Sequence, residues 1–112
     1  MLHEWRKRAK DHWYQARLLE PIWPALMKPH VAAADELGEV LGQANDLAVL
    51  DARLDHAGLD AGLLWDARDR AAARRRELME AAWPLGRRLF AGPAEAVSGR
   101  WRQWWRLRGE PA

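Results

Sequence analysis

Leu2-His3-Glu4-Trp5-Arg6-Lys7-Arg8-Ala9-Lys10-Asp11-His12-Trp13-Tyr14-Gln15-Ala16-Arg17 opens the chain and decides how the rest is read. At about 100° per residue, His3, Arg6, Lys7, Lys10, Tyr14 and Arg17 fall on one stripe of a helix. Leu2, Trp5, Ala9, Trp13, Ala16 and Leu19 form an apolar stripe beside it, and Glu4, Arg8, Asp11 and Gln15 take the remaining arc. An ordinary amphipathic helix has one apolar and one mixed-charge face. This one adds a cationic face without acids. Like charges three and four apart repel by about 0.2–0.5 kcal/mol per pair. Lining them up is unfavourable unless an anion is placed there.

The same helical period continues along the chain, and no stretch alternates as a strand would. The first helix is expected over Leu2 to Leu19. Pro21, Pro24 and Pro29 then break the chain, with Trp23 and Leu26 tucked onto the core. A second helix is expected over Val31 to Leu41, stopped by Gly42. Asn45 reads as the N-cap of a third, Asp46 to Ala57. Asp46 has a second possible role, holding a cation of the first helix. Gly58 ends that third helix, and Asp60 caps a fourth, which Pro84 kinks or splits. Gly92-Pro93 starts the last helix, whose apolar side carries Val97, Trp101, Trp104 and Trp105. The fold class is therefore all-α, a small bundle of about four to five helices in a single unit, 1–112.

Composition narrows the chemistry. The chain has 112 residues, eight tryptophans, one tyrosine, one phenylalanine and no cysteine. Indole contributes large buried area and one N–H donor. Without cysteine there is no disulfide and no thiolate chemistry, which fits the cytoplasm. The charged start does not read as a signal peptide, and no apolar run approaches the roughly 20 residues of a membrane span. Net charge is +2, unevenly spread. Residues 1–20 carry five Lys/Arg against three Asp/Glu, residues 21–60 two against seven, and residues 61–112 eleven against six. Basic ends flank an acidic middle. His3-Glu4 does not continue as H-E-x-x-H, because Lys7 stands where the second histidine is needed. His12, His30 and His56 have no ligand spacing, so no metal is expected. No nucleophile elbow, P-loop or dinucleotide-binding glycine pattern occurs, Ser98 is the single serine, and no enzyme activity or cofactor is expected. Arg74-Arg75-Arg76 spreads around its helix. Arg100, Arg102, Arg106 and Arg108 flank tryptophans of the last helix, where the readings are a core stripe with solvated arginines or a platform for nucleobases.

The segment Leu2 to Lys10 contains His3, Arg6 and Lys10 at the spacing H-x-x-R-x-x-x-K, and it resembles the signature of the CHAD family, the conserved histidine α-helical domain. Leu41-Gly42-Gln43-Ala44-Asn45-Asp46-Leu47-Ala48-Val49-Leu50 resembles that family's second landmark. Leu89-Phe90-Ala91 and the Trp/Arg-rich helix after it look like the family's C-terminal end. The resemblance implies an all-helical fold that binds inorganic polyphosphate through basic side chains, often at polyphosphate granules. It implicates His3, Arg6 and Lys10. Lys7, Tyr14 and Arg17 join them by helix geometry alone.

A full CHAD domain has two similar halves, and this chain resembles only the second, across nearly its whole length. It contains no triphosphate-hydrolysing tunnel domain of the kind often fused to the family. A second copy would supply the missing cover, so a homodimer is expected, burying some of Trp5, Trp13, Trp101, Trp104 and Trp105. The expected ligand is polyphosphate or another phosphate-rich anion. The alternatives are a nucleic-acid-binding module using the same basic stripe, and a structural module pairing with another helical chain.

Overall fold

The computed structural model describes residues 2–111. Four α-helices and one short 3-10 turn make up the described residues: α1 (Leu2–Leu18), the turn Glu20–Ile22, α2 (Pro24–Leu54), α3 (Ala61–Leu89) and α4 (Ala94–Leu107). The all-α class is as the periodicity implies. The shape is long, 66 × 21 × 20 Å, because α2 and α3 are 31 and 29 residues and pair along their length.

The long α2 replaces the two shorter helices expected from sequence. Gly42 does not stop it and Asn45 does not cap a new one; both lie inside the helix. Glycine inside a helix costs about 1 kcal/mol against alanine. Met27, Ala34, Leu37, Leu41, Ala44 and Leu54 are buried at three- and four-residue multiples through this region. Continuous packing on α1 and α3 outweighs the local signals. The prolines also break less than expected. Pro24 opens α2 at the position proline favours, and Pro29 lies one turn further in. Its missing N–H would have bonded the Ala25 carbonyl, and Ala25 is exposed to water. Pro84 likewise sits inside an unsplit α3, where buried Gly86 and Leu89 keep the following turn on the core.

Other local signals hold. The Asp60 carboxylate accepts from the Leu63 N–H at 2.9 Å, capping α3. Gly58 and Gly92 both adopt positive φ in the connections before α3 and α4. Pro93 stands at the N-cap of α4, one residue earlier than expected.

Two apolar clusters hold the molecule. In the first, Ala9 of α1, Ala34, Leu37 and Leu41 of α2, and Ala82 and Leu89 of α3 are buried, with Leu2, Trp5, Trp13, Met79 and Leu85 packed around them. In the second, Ala16, Ile22, Met27 and Trp101 are buried, with Leu19, Val31, Val97 and Trp104 around them. Four of these ten buried residues are alanine, so the core is thin and the helices lie close. Trp23 leaves the core partly, at 37 % exposed, and meets Trp104 edge-to-face at 4.8 Å. Leu26 stays largely in solvent.

Two glycines on α2 and α3 make opposite predictions. A Cβ at Gly86 would come within 2.4 Å of the Trp5 ring, whereas one at Gly42 would meet only Arg6 Nε at 3.8 Å. Gly86→Ala must push the indole from its seat and is expected to destabilise by about 1–3 kcal/mol. Gly42→Ala is expected to stabilise, by up to about 1 kcal/mol. Thermal melts read both. A lower midpoint for Gly42→Ala would contradict the continuous α2.

Candidate anion-binding face

α1 lies on α2 through alanine, and this fixes what its two flanks do. Ala9 and Ala16 are fully buried at the contact line. One flank turns Arg6, Lys10 and Trp13 towards α2. The other turns Trp5, Arg8 and His12 towards the end of α3 and α4.

Of the six residues expected to form the site, five are exposed and Arg6 is half-buried. Regular helix geometry keeps them on one arc, spanning about 21 Å from His3 to Arg17 at 1.5 Å per residue. They are not equivalent. Arg6 and Lys10 line a cleft of about 390 Å3 against α2, together with Gln43 and Gly42. His3, Lys7, Tyr14 and Arg17 belong to the open face outside it. Tyr14 is 59 % exposed. Arg17 lies over the Trp13 ring at 5.3 Å, a cation–π contact that steadies its stem.

Of the far wall of the cleft, only Asp46 was expected near α1 from sequence. α2 places Asp35, Glu39 and Asp46 there, opposite Arg6 and Lys10. These acids are remote in sequence, and only the folding of α1 onto α2 brings them close. The cationic face is acid-free along its own helix and faces acids along one edge. Even so, among the described residues no carboxylate lies within ion-pair distance of any cation of α1. Asp46 shares the cleft without pairing. The ion pairs lie elsewhere: Arg68 with Asp51 and Asp55, Arg70 with Asp66, and Arg74 with Glu77. Arg6 Nε is sealed from water and has no hydrogen-bond partner among the described residues. Such an atom costs about 1–3 kcal/mol relative to a satisfied one.

A second feature escaped the sequence because its partners are 18 residues apart. His12 and His30 meet Nε2 to Nε2 at 2.7 Å, one ring donating and the other accepting. Trp101 stacks on His12 at 5.4 Å and meets His30 edge-on at 5.5 Å, and Phe90 closes the cage 5.3 Å from His12. Burial lowers both imidazole pKa values below the ordinary 6.5, and for His12 the neighbouring His30 charge adds to this. Two histidines are short of a metal site, and among the described residues no group of three His, Asp or Glu converges.

The histidine pair ties folding to pH. A histidine whose folded pKa is depressed binds its proton more readily when unfolded, so its contribution is intact above about pH 6.5 and is lost as pH falls through that value towards the folded pKa. The thermal midpoint is expected to drop between pH 7 and pH 5. His30→Gln keeps a hydrogen-bonding group and removes one titration, so its midpoint is expected to change less over the same interval. Parallel curves for the two proteins would show that the pair does not carry this dependence.

Comparison with known proteins gives one finding for the family and none for individual relatives. The model of the CHAD domain matches residues 1–55. Neither the curated proteins nor the solved structures yield a significant match. The matched segment is α1, the 3-10 turn and α2, so it contains the basic face and the long helix on which that face is set. Over residues 1–55, this chain matches the CHAD domain, consistent with the resemblance of its first helix to that family.

Proposed function

We propose that this chain binds inorganic polyphosphate along the outer face of α1. Association with polyphosphate is known of the CHAD domain in general terms, and the match over residues 1–55 supports this class of ligand. The observation that carries the reading is the row of α1 cations without ion-pair partners among the described residues, while Arg68, Arg70 and Arg74 of α3 are paired. A flexible polyanion laid along His3, Lys7, Lys10, Tyr14 and Arg17 meets charge-assisted donors at each turn. Arg17 presents a fork for phosphate oxygens, and Lys7 and Lys10 act as point charges. Arg6 borders this track and reaches it from the cleft edge. His3 offers a ring N–H donor at the start of the row. The acids of α2 repel the chain from the cleft and keep it on the open side.

In this reading the protein is a binding module and not an enzyme, and granules rich in polyphosphate are its place of work. No helix among the described residues is long and apolar enough to cross a membrane. Nucleic acid is the competing ligand for the same face, because its backbone carries the same phosphate chemistry.

Self-association has its own support, at a different place from that expected. Trp101 is buried by its own chain, and Trp5, Trp13 and Trp104 are half-buried in the two clusters. Only Trp105 of the five expected interface indoles stays exposed. The hairpin end of α2 and α3 instead exposes Val49, Leu50, Leu63 and Trp65, the last at 68 %. Exposed apolar side chains concentrated at one end of the hairpin offer contact area to a partner. A second copy joined here would add a second basic face and avidity for a long polyanion.

Lys7→Ala and Lys10→Ala are each expected to weaken polyphosphate binding by about three- to ten-fold, one charge-assisted contact apiece. Arg75→Ala, on α3, is expected to leave it unchanged. Affinity is expected to fall steeply with salt as counterions are released. Titration calorimetry at two salt concentrations checks all of this, and equal losses for Arg75 and Lys7 would refute the assignment to α1. For assembly, light scattering at micromolar concentration is expected to give a dimer mass that Trp65→Glu reduces to the monomer. A monomer for the unsubstituted chain would remove this interface.

A further inference from the structure

We propose that the groove on the opposite flank of α1 is a separate binding site for a nucleoside polyphosphate. The groove runs between α1, the end of α3 and the start of α4, with a volume of about 1150 Å3. Small-molecule pockets run from about 300 to 1,000 Å3, so a ligand of nucleotide size has room. Two kinds of side chain line it. Trp5, Trp83 and Trp105 supply indole surface, and Trp83 is 59 % exposed on the rim. Arg8, Arg87 and Arg102 supply three guanidinium groups, one from each of three helices.

None of these arginines has a carboxylate within ion-pair distance among the described residues. Asp11 is the single acid on the walls, so the lining carries a surplus of positive charge. An anion is therefore favoured, and the indoles select what is attached to it. A flat heteroaromatic ring stacks on an exposed indole face, and planar guanidinium forks bind phosphate oxygens in pairs. Inorganic polyphosphate has no ring and leaves the indoles unused. The required ligand joins a planar base to an anionic tail. The site shares no residue with the outer face of α1 and stands or falls separately from the polyphosphate reading.

Adenosine triphosphate is the probe, with inorganic tripolyphosphate as the ring-free comparison, in calorimetry on the full chain. Trp83→Ala and Arg87→Ala are both expected to weaken the nucleotide by about five-fold or more, through lost stacking and a lost phosphate contact respectively. Both side chains are solvent-exposed, so the fold is retained. Lys10→Ala is expected to leave nucleotide binding intact. Tripolyphosphate is expected to compete less well by a similar factor. The proposal is overturned by no nucleotide binding at millimolar concentration, by tripolyphosphate competing equally, or by loss on Lys10→Ala with Trp83→Ala silent. Polyphosphate binding that depends on Lys7 and Lys10 would survive each of those results.

Discussion

The seating of α1 on α2 through Ala9 and Ala16 is the constraint on which the rest depends. Ala9 is fully buried against Ala34, Leu37 and Leu41 of α2, and Ala16 is fully buried with Met27 of α2, Ile22 and Trp101. Small residues bring the two axes close, so the flanks of α1 become walls of clefts rather than open surface. One wall carries Arg6 and Lys10, and the other carries Trp5, Arg8 and His12. A bulky residue at either alanine would lift α1 and separate both sets of side chains from their neighbours. Volume in such a packed seam is costly to change, by about 1–3 kcal/mol for added methylenes.

The electrostatics follow from this geometry. Cations of α1 gather on the side away from the core, and the acids of α2 sit across only one edge of them. Arg68, Arg70 and Arg74 of α3 find Asp and Glu partners and are neutralised in place. An exposed ion pair contributes little stability, about 0–1 kcal/mol. Its larger effect is on which charges remain free. The outer face of α1 keeps its charge, and an anionic ligand can lower the repulsion within it.

Much of this was legible in the sequence, and the missing parts share a cause. The helical class, the α1 stripe and the Asp60 cap are local patterns, readable from a few turns of chain. The break expected at Gly42 and Asn45 failed because glycine and asparagine cost only about 1 kcal/mol or less inside a helix. The buried series Leu37, Leu41 and Ala44 outweighs that when α1 and α3 pack on both sides. The prolines at 29 and 84 are tolerated because they are exposed and near helix ends. Asp35 and Glu39 opposite the basic stripe, and His30 against His12, are products of the α1–α2 crossing. No pattern within either helix announces them. The indoles were misassigned for the same reason: Trp101 is buried by a histidine pair that the sequence keeps apart, while Trp65 and Trp83 were left uncovered.

The proposed ligand track lies on the outer face of α1. Backbone and side-chain NMR of the folded protein, titrated with polyphosphate, tests it residue by residue. The largest shift changes are expected on His3, Lys7, Lys10, Tyr14 and Arg17, with weaker ones at Arg6 and little change along α3. Shifts concentrated on α3 or α4 with α1 silent would contradict it.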